Sequence, residues 1–469
     1  VARAAAEIAV SSSVAAMSSQ ATPTIAVDAL RVGMFVHLDL GWMSHPFPLS
    51  SFRIASAEQI DTIRGLGLVQ LRWSPEKSTL DPEPAAAPEA LPAPLPSSPG
   101  SGPASIAGGL APAVATAAES QEQARQRLRR EQMVQQRAAL QHCEQQYGEA
   151  SREWRRTSDL VLADPQAARE RTEALSRALV DKMLGQRETC IRLLGEGAGD
   201  RACAHAINVA VIALLLGKLF GLGADDLLDL GTGALLHDVG KLELSERLRH
   251  LDEGFNAGEV ALYREHVAHG VTHGRRMGLS PGALLVIAQH HEHVDGSGFP
   301  KRLGGDRQTV AARIVALVNR YDNLCNPAQA GRALTPHESL SLMFAQGRQR
   351  YDATVLSSFI RMMGVYPPGS VVQLTDDRWA MVMTVNAARP LKPRVLVHDP
   401  AVPRDEALFV DLEREPTLGI RRSVKPAQLP AAALHYLAPA TRVAYFFDVA
   451  PAAESAGDTS EPREAEVQR

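Results

Sequence analysis

Cysteine is scarce in this sequence, and what there is forms no pattern. Cys143, Cys190, Cys203 and Cys325 stand far apart in 469 residues, with no CxxC or zinc-ribbon spacing. That excludes a disulfide framework and leaves reduced thiols of a cytoplasmic protein as the expectation. A broad basic field is missing too. The net charge is -4 and the pI is near 6.5, so duplex nucleic acid is excluded as the main partner. Long apolar runs are absent: the longest, 209–216, falls short of the roughly 20 residues a bilayer span needs and reads as a buried core helix. The Ala/Ser-rich start, 1–20, carries no basic segment followed by an apolar core, so it is not read as a signal peptide. Residue 1 is Val, and Met17 is an alternative start.

At about 150 residues per domain, this length predicts two to four domains. Residues 1–23 are expected to be disordered. Residues 24–77 read as a small α+β accessory domain: 34–38 and 69–73 are strand-like, 57–64 has helical spacing, and Ser56 with Gln59 suits a capping box. His37 and His45 have no acidic partner at metal-site spacing and read as ordinary histidines. Residues 78–118, rich in Pro, Ala, Ser and Gly, bury too little surface to offset ordering entropy and read as a linker. Residues 119–195 form a charged helical connector without a clean heptad. It is either a signalling or dimerising helix, which would make the chain a homodimer with protein partners, or a solvated helix resting on the next domain.

Helical patterns follow at 206–220, 227–236, 259–277, 281–291 and 310–324, and Thr335-Pro336-His337-Glu338 opens another. They make 196–365 an all-α domain. After the turn signal at 366–369, short strands are expected at 371–374, 379–385, 394–398 and 407–411, giving a C-terminal β module over 366–448 and a disordered tail at 449–469. The fold class is mainly α: a helical bundle core flanked by a small N-terminal α+β module and a small C-terminal β module.

Nine of the 15 histidines crowd between His205 and His293. Histidine is the commonest metal ligand, and a neighbouring Asp adds a carboxylate that can bridge two cations. A hydrolytic two-metal site needs such groups spread over several packed helices. Here His205 starts one helix, His237-Asp238 ends the next, His266 lies on a third, and His290-His291 close a fourth. Adjacent helical histidines point about 100° apart, so His290 and His291 can flank a metal pair. His250, His269, His273 and His293 fall outside this set and read as surface or supporting residues.

His237-Asp238…Lys241 and the later run His290-His291-Glu292-His293-Val294-Asp295-Gly296-Ser297-Gly298-Phe299-Pro300 together resemble the HD-GYP family, over roughly 200–366. The segment ahead of the linker resembles a small domain often found before HD-GYP domains. The resemblance implies an HD-type bundle that cleaves cyclic di-GMP with two or three iron- or manganese-type ions. Its ligands would be His205, His237, Asp238, His266, His290 and His291, with Asp238 bridging. Lys241 would contact a phosphate, and Asp295, Gly296 and Gly298 would shape the substrate mouth.

Three departures separate this chain from the family pattern. Asn319 stands where the last Asp ligand is usual, so it offers a neutral oxygen in place of a carboxylate. Arg201 stands where some members have the Glu of a third site, which limits the expectation to two divalent ions. Asn323 to Pro327 replace a basic motif, leaving Arg332 as the substitute phosphate contact. The resulting expectation is a cytoplasmic bacterial signalling phosphodiesterase that turns cyclic di-GMP into linear pGpG or GMP. The alternative is a degenerate receptor or interaction module without turnover, and a third option is another HD phosphohydrolase acting on a different nucleotide.

Overall fold

The computed structural model describes residues 23–38, 51–79, 113–185, 189–195, 200–386 and 389–449. Nearly all of the N-terminus expected to be disordered, most of the linker, His45 and all but residue 449 of the tail lie outside the described residues. The chain divides into two units, Val1–Pro103 and Ala104–Arg469.

In the first unit, β1 (Thr24–Ala26), β2 (Phe35–His37), β3 (Ser51–Arg53) and β4 (Gln70–Trp73) form an antiparallel sheet in the order β1-β4-β2-β3. Helix α1 (Ala57–Gly65) buries Ile60 and Ile63 in a core with Val36, Ile54 and Leu71. The capping box expected here does not form. Ser56 is the N-cap residue but its hydroxyl makes no cap bond, and the Gln59 Oε1 accepts instead from the backbone of Ala55. His37 bonds the hydroxyls of Ser51 and Ser74, both at 2.9 Å, an ordinary structural histidine.

The second unit is built around α4 (Arg201–Leu219). By length and composition this helix could cross a membrane, yet residues 207–214 have no exposed surface and form the centre of the bundle. Around it lie α2 (Ala113–Ala163), α3 (Pro165–Leu184), α5 (Ala224–Leu236), α6 (Ala257–Arg264), α7 (His266–Met277), α8 (Pro281–Gln289), α9 (Val310–Cys325), α10 (Pro336–Gln346) and α11 (Ala353–Met363). The single helix expected over 259–277 is two, broken at Glu265, and α11 follows α10 where no helix was expected.

Side-chain caps set most of these starts. Asp200 accepts from the Cys203 amide, Ser280 from Ala283 and Thr309 from Ala312, while Asn256–Glu259 and Thr335–Glu338 form complete capping boxes. The helices α2 and α3 pack into the bundle: Val161 and Ala168 share a buried cluster with Leu236, Met277, Ala283 and Ile287.

A second sheet of seven strands closes the unit. Its path is β10 (Ile420–Ser423), β6 (Val371–Leu374), β7 (Trp379–Asn386), β5 (Thr189–Leu193) and β11 (Tyr445–Val449), with β8 (Arg394–Val397) on β7 and β9 (Val410–Asp411) on β8. All pairs are antiparallel. The 119–195 segment expected to be helical therefore contributes β5, an interior strand of the C-terminal sheet. A short helix, α12 (Ala431–Leu437), precedes β11. The four cysteines are buried, and burial pushes the thiols of Cys143 and Cys325 up to about 12 and Cys203 to about 11.

Candidate metal centre

Five of the predicted ligand positions sit where helices begin or end, so the bundle fixes their backbones while leaving their side chains free to converge. His237 is the C-cap of α5, followed by Asp238; His266 opens α7; His290 is the C-cap of α8, followed by His291. His205 projects from the second turn of α4. The Trp154 Nε1–H donates to the Leu235 carbonyl at 3.0 Å, fastening α2 to the end of α5 that carries His237 and Asp238.

Gly240 makes the tightest approach. A Cβ there would lie 1.9 Å from the His266 carbonyl oxygen and 2.4 Å from the Gly270 amide. Only glycine lets the turn after Asp238 lie against the start of α7.

The six side chains form two groups that share Asp238: Asp238, His266, His290 and His291 on one side, and His205, His237 and Asp238 on the other. The Asp238 Oδ2 lies 3.6 Å from His205 Nε2 and 3.5 Å from His237 Nε2, and its Oδ1 lies 3.5 Å from His266 Nε2 and 3.7 Å from His290 Nε2.

Four imidazole tautomers follow from the partners of their Nδ1 atoms. His237, His266 and His290 each place Nδ1 on a backbone carbonyl, of Ala234, Tyr263 and Ile287, at 2.7, 2.6 and 2.8 Å. His205 places Nδ1 2.6 Å from the Asp322 Oδ2. A carbonyl or carboxylate oxygen accepts, so each Nδ1 carries the proton and each Nε2 presents a lone pair toward Asp238. The Nε2 atoms of His205 and His237 then meet at 3.1 Å, and those of His266 and His290 at 3.4 Å. Two facing lone pairs repel unless a cation lies among them. The buried Nε2 of His291 and Oδ1 of Asp238 also have no hydrogen-bond partner among the described residues. This donor set fits two divalent metal ions with Asp238 between them, as neutral imidazole and carboxylate donors do.

Electrostatics keep the groups in the forms that ligation requires. Burial holds His237 and His291 well below the usual imidazole range and brings His266 down to about 4. Burial would raise Asp238, but the ammonium of Lys241, 2.5 Å from Oδ2, and the neighbouring imidazoles outweigh it and hold the carboxyl well below its usual range.

Beside the His205/His237 group lies a cleft of about 490 Å³ whose walls include Trp154, Arg155, Arg201, Lys241, Arg249 and His250. Lys241 is the one predicted substrate contact that reaches it. Arg332 instead pairs with Glu253 at 3.2 Å and is not in the walls. Asp295, Gly296 and Gly298 do not line it either. Asp295 Oδ1 accepts from the Ser297 amide at 2.9 Å, and Gly298 packs where a Cβ would lie 2.4 Å from the His293 amide. That loop is held from below by the buried Glu292 carboxylate, which accepts from the amides of Lys301 and Leu303.

Asn319 is buried, and its side-chain oxygen takes the Asn323 amide at 2.6 Å. The expected neutral ligand is thus already hydrogen-bonded. His269 lies 3.9 Å from Glu265, His273 lies 3.1 Å from Glu243, and His293 bonds Ser297; all three are outside the two groups.

Sequence reasoning missed the α2 wall and the arginines Arg201 and Arg249. The pair Trp154-Arg155 in a Gln/Glu/Arg-rich helix was a faint signal, and nothing local distinguished Arg249.

A cyclic di-GMP phosphodiesterase of Pseudomonas aeruginosa is 27% identical over 198 residues, 41% of this chain and 47% of that protein. A 3'3'-cGAMP-specific phosphodiesterase of Vibrio cholerae is 34% identical over 123 residues, 26% of this chain and 24% of that protein. The chain thus spans less than half the length of either relative. Among solved structures, an HDG"Y"P protein of Bdellovibrio bacteriovorus aligns over 72% of this chain and 97% of its own, with 13% identity and a TM-score of 0.38. Residues 168–355 match the HD domain family, and residues 23–172 match a domain of unknown function, DUF3391. This chain therefore carries an HD-superfamily domain with a candidate His/Asp metal site, preceded by a DUF3391 domain.

Proposed function

We propose that the chain is a metal-dependent phosphodiesterase of cyclic dinucleotides, with cyclic di-GMP as the substrate, working in bacterial second-messenger signalling. The observation that carries this reading is the convergence of four Nε2 lone pairs on Asp238 at the floor of a cleft that Lys241 also enters. The named substrates of the two relatives, cyclic di-GMP and 3'3'-cGAMP, support the substrate class.

The residues present would hold two divalent transition-metal ions, iron or manganese. His205, His237 and Asp238 would take one, and Asp238, His266, His290 and His291 the other. Bound there, the pair would supply Lewis acidity toward the phosphate and its attacking water. The protein's own contribution is positional. Asp238 is held ionised by Lys241, the Nδ1 bonds prevent the imidazoles from turning, and the Lys241 ammonium can face a phosphate oxygen as negative charge develops on it. Leu235, Leu236, Val239 and Leu242 give the cleft an apolar side that excludes water. Overall, one water adds across one P–O bond and the ring opens to the linear dinucleotide.

The test is hydrolysis by protein reconstituted anaerobically with iron or manganese, assayed against cyclic di-GMP, cGAMP and cyclic di-AMP. Turnover of cyclic di-GMP above the others supports the reading. Metal-loaded protein that cleaves none of them rejects it.

One observation favours a second reading, a receptor without turnover: Asn319, whose oxygen is engaged by Asn323, adds no carboxylate to the site. In that case wild type binds cyclic di-GMP without cleaving it, and Asn319→Asp creates activity.

A further inference from the structure

We propose that Arg201 is the anion seat of the cleft, the side chain that takes a phosphate oxygen of the substrate beside Lys241. The inference deepens the phosphodiesterase reading and rests on it for the identity of the ligand, though not for the existence of the seat.

Arg201 opens α4 one helical turn before His205, so the two side chains leave the same face of the helix. Arg201, Lys241 and His250 all line the one cleft. The Arg201 guanidinium is held at two points, by Nε donating to the Asn326 carbonyl at 3.1 Å and by Nη1 bonded to His250 Nδ1. Because a guanidinium only donates, His250 Nδ1 must accept, which puts the imidazole proton on Nε2 and makes a second donor next to the arginine. No carboxylate pairs with Arg201 among the described residues, whereas Arg155 in the same wall is paired with Asp200 at 2.9 Å and Lys241 with Asp238.

A partly buried guanidinium that is fixed in place, with Asp238 and Asp322 near enough to be felt but no carboxylate in ion-pair contact among the described residues, has N–H donors that a bound anion can take. Arg249 lines the same cleft, also without an ion pair among the described residues. Glu246 and Asp159 lie in the walls as well and would turn phosphate away from their part of the cleft, toward Arg201. A planar fork with spare N–H donors suits a phosphate diester better than a point charge does.

The test is calorimetric binding to this chain after chelator treatment, so that metal-dependent turnover is stopped, with cyclic di-GMP and inorganic phosphate as separate probes. Arg201→Ala and Arg201→Gln are expected to weaken cyclic di-GMP binding by about tenfold or more, as loss of a charge-assisted hydrogen bond does, and Arg201→Lys by less. Melting temperature is read alongside, because Arg201 also holds the Asn326 carbonyl. Millimolar guanidinium restoring binding to a folded Arg201→Ala protein is a rescue that a merely structural role would not show. The metal content of the variants before chelation should match wild type.

Variants that fold and bind both probes as wild type does overturn the inference whether or not the enzyme is active. So does a wild type that binds neither probe. Wild type that binds phosphate through Arg201 but not cyclic di-GMP keeps the seat and rejects the substrate. Binding through Arg201 by a protein that never cleaves cyclic di-GMP rejects only the catalytic reading.

Discussion

The Asp322 carboxylate accepts the Nδ1–H of His205 at 2.6 Å and thereby turns the His205 Nε2 toward Asp238. Asp322 has no exposed surface, and its other oxygen accepts from Asn208 at 2.7 Å and Asn326 at 2.9 Å. Asn208 and Asn326 in turn bond the backbone at Val443, two residues before β11, and Asn208 also that of Tyr445, the strand's first residue. One buried network therefore joins α4, α9 and the C-terminal sheet to the orientation of a single imidazole.

Removing that carboxylate should damage both stability and metal binding. Asp322→Ala leaves three buried N–H bonds without an acceptor, one each from His205, Asn208 and Asn326, at about 1–3 kcal/mol each, so a loss of roughly 3 kcal/mol or more is expected in denaturant melts. Asp322→Asn keeps one acceptor oxygen and should be milder in stability. It should still weaken metal binding by about 10- to 100-fold, the usual effect of losing a ligand's supporting carboxylate. Unchanged metal affinity in a folded Asp322→Asn protein would remove His205 from the site.

Gly240 gives a prediction that needs no ligand chemistry. With a Cβ placed 1.9 Å from the His266 carbonyl, Gly240→Ala must push the turn after Asp238 away from α7. Destabilisation of about 1–3 kcal/mol and loss of metal from the shared site are expected, read from thermal melts and elemental analysis. A variant with wild-type stability and metal content would mean that this contact is not made.

Acid should destabilise the metal-free protein. Burial brings the imidazoles of His266 and His250 from the ordinary 6.5 down to about 4. As pH falls through 6.5 the unfolded chain takes up protons at these positions, while the folded chain does not until near 4. Stability is therefore fully present above about pH 7 and lost progressively as pH drops toward 4. For His266, which has no exposed surface, the difference corresponds to roughly 3 kcal/mol, and His237 and His291 act in the same direction. Urea melts of chelator-treated protein at pH 7.5 and 5.5 should show a lower midpoint at the acid pH. A midpoint that stays the same or rises would contradict the neutral, buried imidazoles on which the site depends.

Asn319→Asp tests the departure from the family pattern. The new carboxylate adds a negative charge one helical turn before Asp322, and divalent-metal affinity should rise by about tenfold. Competition with a chromophoric chelator measures it. Equal or lower affinity would show that position 319 does not face the metals.

Much of this arrangement was legible in the sequence because histidine and aspartate are chemically distinctive and helix ends are marked. His237-Asp238 follow a strongly apolar helix, and Ser280-Pro281 announces the helix that ends at His290. What was not legible came from pairings distant in sequence. β5 reaches its partners near residues 384–386 and 445–449, and no property of 189–193 by itself selects a strand over one more turn of helix. The α2 wall depends on how a long helix lies across α5, which Trp154 settles through a single bond to Leu235. Arg332 is close to Asp322 in sequence, but its segment turns toward Glu253, and the cations that line the cleft beside Lys241 are Arg155, Arg201 and Arg249. Glu265 breaks a pattern whose apolar spacing continues through it, because the α6 C-cap geometry and the start of α7 share that residue.

The claim on which the rest depends is that six side chains centred on Asp238 hold two cations. Elemental analysis of anaerobically purified protein, with His205→Ala and His291→Ala alongside, tests it most directly. Two divalent transition-metal ions per wild-type chain and close to one in each variant is the predicted result. Wild-type protein with no stoichiometric metal after anaerobic reconstitution, or variants that retain the full wild-type content, would contradict it.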